Sequence, residues 1–484
     1  MKHERFRTGL FWSASLASAL ILLLSNNPAF ANTINVKLPP YSAKGDGKTN
    51  DQAAITKAIN AGKAGDTIYF PTGNYLHSAS LTFKASENAL GDGATKSFLT
   101  ATTATNGALV FTGTNVTIKA LCVQYSNPVD STAYSANGIY VHNITGFTVA
   151  STTVQKTSAN GVSVNVASHG LITSSRISSP TETGVYLQRT TTTSVTSNVF
   201  PLTSTAVYVN NTYQTGTAQS IAITSNNIQN SSGNTATPGI YVVGVKGCTI
   251  NSNTVSNNMW GGILVQGENL TGLGPSSNVT VHGNTVSNCG FNGSIYVDGS
   301  SDGGFGATTV TNVTVTSNTM TNNPATAILV LGEFANGVSG AVINANTVKN
   351  VPTAPGIWVD NTINATIGDL TSKTDGNTVD STLNASIYTG IGCAGKLLVD
   401  NNVLSNAGAS VNYLFPAHNA VIDVEDNGSG GTSLTSLDCE NNSYTGSTAG
   451  LDDFIFLGPP KHLLTSETVA GNTTTTMLGI VITP

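Results

Sequence analysis

Five carboxylates stand out in a chain with very few charges. Glu268, Asp298, Asp302, Glu333 and Asp360 follow one another between residues 268 and 360, although only 9% of the 484 residues are charged. An ordinary domain carries about a quarter. Paired carboxylates can perform acid–base chemistry when closeness or burial leaves one as a proton donor beside an ionised base. A separation of about 5 Å suits a retaining glycosidic cleavage, and roughly 6.5–9.5 Å an inverting one. The expected pair is Asp298 as base and Glu333 as acid, or the reverse, with Asp360 orienting water or sugar. Glu268 has the offset of Glu333 one row earlier and is expected to touch substrate. Two other readings stand beside this one. Asp298, Asp302 and Asp360 could ligate calcium, helped by carbonyls of the loop 299–306, although no regular calcium-loop pattern is present. The acids could also be solubilising loop charges.

A repeat places these acids. Short apolar strands recur as Ile139-Tyr140-Val141, Val162-Ser163-Val164, Val185-Tyr186-Leu187, Val207-Tyr208-Val209, Ile240-Tyr241-Val242, Ile263-Leu264-Val265, Ile295-Tyr296-Val297, Ile328-Leu329-Val330 and Ile357-Trp358-Val359. Their first residues are 23, 23, 22, 33, 23, 32, 33 and 29 positions apart. Repeats of this size mark a solenoid, in which each unit buries its core only by stacking. Stacked strands lie about 4.8 Å apart. Asp298 and Asp360 share one strand-end position two coils apart, so the repeat sets their separation. The loops after Val209, Val265, Val297, Val330 and Val359 read as enlarged, and insertions on one edge of a solenoid commonly build its binding surface.

Alternation along each strand sends Ile139 and Val141 inward and Tyr140 outward. The same phase puts Tyr186, Tyr208, Tyr241, Tyr296 and Trp358 on one exterior stripe. Tyr208, Tyr241, Tyr296 and Trp358 are therefore candidate sugar-stacking residues, with cross-coil packing as the plainer alternative. A second strand in each coil begins with Asn, as in Asn253-Thr254-Val255, Asn284-Thr285-Val286, Asn318-Thr319-Met320, Asn346-Thr347-Val348 and Asn377-Thr378-Val379. Asn226 and Asn401 are read as continuing that register. Stacked amides can bond from coil to coil, which makes these asparagines structural.

The start of the chain has a different pattern. Lys2, Arg5 and Arg7 precede an apolar run and Ala29-Phe30-Ala31, the layout of a secretion signal cleaved after Ala31. The expected localisation is secreted or periplasmic, with no membrane anchor in the mature chain. Cleavage would move the formal net charge from -6 to -8. So sparse a basic content argues against a nucleic-acid surface, which needs concentrated Lys and Arg. The five cysteines, Cys122, Cys248, Cys289, Cys393 and Cys439, are too widely spaced for a metal knuckle.

Residues 51–61 place Ala54, Ile55, Ala58 and Ile59 on one helical face, with Thr49 and Gln52 as a capping box and Gly62 as a stop. A hairpin-like unit, 67–70 and 74–76, follows. A solenoid needs its first coil covered, and this helix suits that task. The stretch Gly45-Asp46-Gly47-Lys48-Thr49-Asn50-Asp51, with Ala53-Ala54-Ile55, Ala58-Ile59 and Gly65-Asp66-Thr67-Ile68-Tyr69-Phe70-Pro71-Thr72-Gly73-Asn74-Tyr75, resembles the N-terminal module of the pectate-lyase superfamily. The resemblance implies an all-β, single-stranded right-handed parallel β-helix with a short N-terminal capping helix.

The expected division is a signal peptide (1–31), an N-terminal cap (32–76), β-helix coils (77–406), and last coils with a C-terminal cap (407–484). The expected function is a secreted carbohydrate-active enzyme, foremost a glycoside hydrolase of a neutral or weakly charged polysaccharide. The resemblance also implies a calcium-dependent lyase or epimerase of uronic-acid polymers, and a non-catalytic glycan-binding protein is the third reading. Arg189 is the candidate basic residue for the lyase chemistry, though it lies four coils from Asp298. A paired-aspartate, Gly-His-Gly and Arg-x-Lys set is absent, as is an Asp-Pro-His step. No resident cofactor is expected apart from the calcium alternative. The acidic stretch Asp423-Val424-Glu425-Asp426 is a reserve site. Apolar strands near the C-terminus leave monomer and homotrimer both open.

Overall fold

In the computed structural model, successive coils stack into two long ladders of parallel strands, one of 28 and one of 16 strands. The structure describes residues 31–482 except 103–106, 127–135, 158, 179–181, 211–218, 230–236, 268–274, 291–292, 300–308, 333–336, 370–371, 373, 391, 409–419, 426–433, 447–450, 452, 458–465 and 476–478. The signal segment therefore lies outside the described residues.

The first ladder carries the strands that matter for the site. They are β1 (Ile139–Ala150), β2 (Val162–Thr173), β3 (Thr183–Thr196), β4 (Thr205–Asn210), β5 (Ile240–Val243), β6 (Gly261–Gln266), β7 (Gly293–Asp298), β8 (Ile328–Leu331), β9 (Ile357–Asp360), β10 (Ile387–Thr389), β11 (Ala420–Val424) and β12 (Asp453–Leu457). Each pairs in parallel with the next. Alternate β-branched residues fill the interior, and Ile139, Val141, Ile295, Val297, Ile357 and Val359 are fully buried. Pleating at period 2 makes this the only way to bury one apolar row per coil while the next side chain turns outward.

The interior corner before the second ladder is held by amides. Asn198, Asn226, Asn253, Asn284, Asn318, Asn346, Asn377, Asn402, Asn442 and Asn472 form a continuous stack. Asn284 shows the pattern. Its Nδ2 donates to Asn318 Oδ1 and to the Ile250 carbonyl, both at 2.9 Å, while its Oδ1 accepts from Asn253 Nδ2 and from the Asn253 backbone N–H. The register expected through Asn401 belongs to Asn402. Asn401 turns aside at φ 57 and donates to the Asp369 carbonyl.

Three other local expectations change. Helix α1 (Gln52–Ala61) has Asp51, not Thr49, as its N-cap residue, with no side-chain cap bond. The Thr49 backbone N–H is committed to Asp46, and Asp51 instead accepts the N–H groups of Lys44 and Gly45. Strands Thr67–Phe70 and Gly73–His77 form no hairpin, because each joins a different parallel ladder around a coil corner. The loop after Val359 is not enlarged either. Only Asn361 separates β9 from the strand Thr362–Gly368. Helix α1 buries Ile55, Ala58 and Ile59, and both ladders continue past residue 406, as far as Thr473–Thr474 and Gly479–Ile482.

Candidate functional site

Two outward rows run side by side along the first ladder. One is Tyr186, Tyr208, Tyr241, Leu264, Tyr296, Leu329, Trp358, Tyr388 and Asp423, each in register with the next. Two residues further along the strands lies a second row, Gln188, Asn210, Val243, Gln266, Asp298, Leu331 and Asp360. Gly390 and Glu425 extend it. The Gly390 N–H donates to the Val359 carbonyl at 2.9 Å and the Glu425 N–H to the Thr389 carbonyl at 2.8 Å. The second row thus carries amides at Gln188, Asn210 and Gln266 and carboxylates at Asp298, Asp360 and Glu425, with Val243, Leu331 and Gly390 between them.

In the aromatic row the rings turn to each other. Tyr208 and Tyr241 stack with centroids 4.7 Å apart and planes within 6°, and Tyr186 leans on Tyr208 at 5.2 Å. Tyr296 is buried with Leu264 and Leu329, against which Tyr241, Trp260, Leu331 and Trp358 pack. Trp358 meets Tyr388 edge-on at 5.4 Å. Ring edges, more than faces, are what this stripe offers a ligand.

Asp298 and Asp360 hold the strand-end position that the repeat assigns them, two coils apart. Leu331 stands between them. Asp298 is buried and bonded sideways, accepting from Gln266 Nε2 at 3.0 Å, and Gln266 Oε1 in turn accepts from the Tyr241 hydroxyl. Glu333, Glu268 and Asp302 lie outside the described residues. Arg189 is exposed, with φ 52, immediately beyond the polar row on β3. Among the described residues, no group of three His, Cys, Asp or Glu side chains is arranged around a cation position. The residues of the calcium alternative that are described, Asp298 and Asp360, are parted by two coil spacings, roughly 10 Å.

The closest gathering of acids on this face is further along. Asp360 is 8% exposed, and its Oδ1 has no hydrogen-bond partner. Burial pushes its carboxyl up to about 7, with the negative charge of Glu425 adding to the effect and the Asn361 N–H opposing it. Tyr388 donates its hydroxyl to Glu425 Oε2 at 3.2 Å. Burial first, then the charges of Glu425, Asp423 and Asp360, holds that phenol well above its ordinary value. A β-carbon placed on Gly390 would lie 3.2 Å from the Asp360 carboxyl and 3.0 Å from the Tyr388 ring. The position between Asp360 and Glu425 is therefore left without a side chain. By charge alone the 423–426 stretch is a reserve site with no tie to Asp360. The link was visible: Ser386-Ile387-Tyr388-Thr389-Gly390 repeats Ser294-Ile295-Tyr296-Val297-Asp298 with glycine at the acid's place.

A family model described as "Rhamnogalacturonase A/epimerase, pectate lyase-like" matches residues 33–264. No curated protein matches the chain. Among solved structures, the N-terminal fragment of bacteriophage Phi29 gene product 12 is similar at TM-score 0.54 and 13% identity, over 95% of this chain and 73% of that one. The catalytic unit of a GH87 alpha-1,3-glucanase from Streptomyces thermodiastaticus is similar at TM-score 0.49 and 17% identity, over 93% and 70%. The A-module of a mannuronan C-5 epimerase from Azotobacter vinelandii follows at TM-score 0.48 and 15% identity, over 91% and 99%. The chain spans 65% of another match, ORF18 of Geobacillus virus E2. At these identities the likeness concerns the fold, and a fold hosts many activities.

Proposed function

We propose that this chain, whose residues 33–264 match a pectate-lyase-like family model and whose coils stack into parallel ladders, is a carbohydrate-active enzyme processing a polysaccharide that contains uronic acids. The observation that carries the reading is the outer face of the first ladder. There an aromatic row runs beside a polar row that turns from amides to carboxylates, with one buried carboxyl holding its proton near neutrality. Such a face offers a sugar chain ring edges, hydrogen-bonding amides and a proton donor in line along the coil axis.

The substrate moves from the neutral polysaccharide first expected to a uronic-acid polymer, because the matched family's description names rhamnogalacturonase and pectate-lyase-like proteins. Hydrolysis is the reaction that paired carboxyls serve best. Proton abstraction by a lyase or epimerase is the second reading, and the epimerase in the same description favours it.

The test is turnover by the secreted, folded protein on pectate, rhamnogalacturonan and alginate, with and without a calcium chelator. New reducing ends without ultraviolet absorbance indicate hydrolysis. Absorbance from unsaturated ends indicates a lyase, and solvent deuterium entering C5 without cleavage an epimerase. Loss of turnover on chelation would assign a role to calcium. Binding without any product sinks the enzyme reading.

A further inference from the structure

We propose that the first coils of the outer face, at His142, Asn165, Gln188 and Arg189, form the subsite that holds the carboxylates of the uronic-acid polymer. This rests on the polysaccharide-processing reading above and deepens it by naming the residues that recognise the acidic sugar.

The four residues come together because the strand ends stack. His142 on β1, Asn165 on β2 and Gln188 on β3 are in register, and two coil spacings put the outer two roughly 10 Å apart. Arg189 follows Gln188 at the bend that Asn143 and Val166 make on the two coils before it, all three in the left-handed region at φ 50, 54 and 52 for Asn143, Val166 and Arg189. Its side chain is exposed. The His142 ring is fixed from two sides. It stacks on Tyr140 with centroids 4.8 Å apart and planes within 16°, and its Nδ1 lies 3.3 Å from Asn143 Nδ2.

All four supply N–H donors. An amide nitrogen only donates, so Nδ1 of His142 accepts and the neutral ring carries its proton on Nε2. Asn165 is half-buried with its Oδ1 turned inside, which leaves the amide nitrogen as the polar atom it can offer. Gln188 adds an amide on the next coil. Arg189 has an interaction of its own, and five N–H donors in a planar fork let it keep a partner and still grip a carboxylate. A carboxylate accepts and cannot donate, so a uronate is the sugar whose chemistry matches this row. The rest of the face sorts the same way. Among the described residues, the two outward rows carry no carboxylate from β1 to β6, whereas Asp298, Asp360, Asp423 and Glu425 occupy the coils beyond. A uronate laid on those later coils would meet acids, and on the first coils it meets donors. The stretch matched by the family model, residues 33–264, contains all four donors and none of these acids.

The experiment uses the full secreted chain and titration calorimetry with galacturonate oligomers, alongside the same oligomers with their carboxyls reduced to alcohols. Wild type is expected to bind the acidic oligomer about tenfold more tightly than the reduced one, or better. Arg189→Gln and His142→Gln should each weaken that binding by about tenfold, the worth of a hydrogen bond to a charged group. Arg189→Gln should also flatten the dependence of affinity on salt. Arg189→Lys, which keeps the charge without the fork, should restore part of the affinity. Lys349→Gln removes an exposed positive charge from the second ladder and should leave affinity unchanged. Circular dichroism checks that each variant is folded. Where the polymer is turned over, Arg189→Gln should raise KM and leave kcat within a few-fold of wild type. Affinity that survives both glutamine variants, or falls equally in Lys349→Gln, overturns the subsite, while turnover would keep the broader reading. Equal binding of the reduced oligomer overturns it too. Binding that follows these dependences without any product sinks the enzyme reading and leaves the subsite standing. A wild type that binds no uronate oligomer overturns both.

Discussion

Two stretches of the same row place carboxylates two coils apart, and they differ in what lies between. Asp298 and Asp360 are separated by Leu331, whereas Asp360 and Glu425 are separated by Gly390. In the first stretch the interval is filled, and Asp298 turns sideways to Gln266 on the preceding coil. In the second the middle residue has no side chain, and the Asp360 carboxyl and the Tyr388 ring close over it. Register alone makes both pairs equivalent. The middle residue decides where the acid's side chain lies.

The largest effect should come from copying the first stretch into the second. Gly390→Leu would drive a side chain into the Asp360 carboxyl and the Tyr388 ring, and turnover should fall by about 100-fold or more, as for loss of a general acid. The reciprocal Leu331→Gly should leave turnover within a few-fold of wild type and cost about 1–2 kcal/mol of stability, since Leu331 packs on the Leu264–Tyr296–Leu329 cluster. Polysaccharide assays with parallel urea melts read both. Equal activity loss in the two variants would erase the distinction drawn between the intervals.

The amide stack beneath both stretches fixes the coil spacing on which either pair depends. Asn284→Ala would strip Asn253 of the acceptor for two N–H donors and Asn318 Oδ1 of one donor, all buried. Orphaned buried polar groups cost about 1–3 kcal/mol each before relaxation, so a loss of about 3 kcal/mol in denaturant unfolding is expected. A change below about 0.5 kcal/mol would mean that the stack follows the coil instead of holding it.

These regions also differ in how far the sequence disclosed them. Ile and Val at strand positions, with a glycine or small residue before them, declare the coil, and the common strand-end place of Asp298 and Asp360 is readable from spacing. The Asn401-Asn402 doublet is ambiguous by eye. The residue that precedes Val403-Leu404, as Asn377 precedes Thr378-Val379, is the one that enters the stack. The Asp360–Glu425 relation is faint in the sequence, readable only from the Ser386–Gly390 repeat, and for a physical reason. Its key element is the absence of a side chain at Gly390, and glycine gives no apolar or charged signal. Burial of Asp360 is set by neighbours on other coils, so no local pattern reports it. Glu268, Asp302 and Glu333, prominent by charge, lie outside the described residues.

The protonation of Asp360 offers a subtler way to set the two stretches apart. Its folded value of about 7 lies above the ordinary value of 3.8. Between these limits the folded state holds a proton that the unfolded state releases, so this group's contribution to stability is full below about 4 and is lost as pH rises through about 7. Asp360→Asn removes that dependence. Its stability relative to wild type should therefore improve from pH 5 to pH 8, by on the order of 1–3 kcal/mol after allowing for relaxation. Thermal melts at the two pH values in one buffer series measure it, and a constant difference would contradict the buried, proton-holding state.

The smallest effect belongs to the relay on the filled side. Tyr241 donates to Gln266 Oε1, and Gln266 donates to Asp298, so three coils are linked by side-chain bonds that stop short of Gly390. Tyr241→Phe deletes the first donor but keeps the ring stacked on Tyr208. Because the Gln266-to-Asp298 bond survives, the expected cost is about 1 kcal/mol of stability, the net worth of one hydrogen bond. Turnover should change by less than about threefold, since the substitution leaves Asp360, Gly390 and Glu425 untouched. A tenfold fall in turnover with stability unchanged would instead place Asp298 in the chemistry. Leu331 would then be a wall of the site and no longer a plug between two carboxylates.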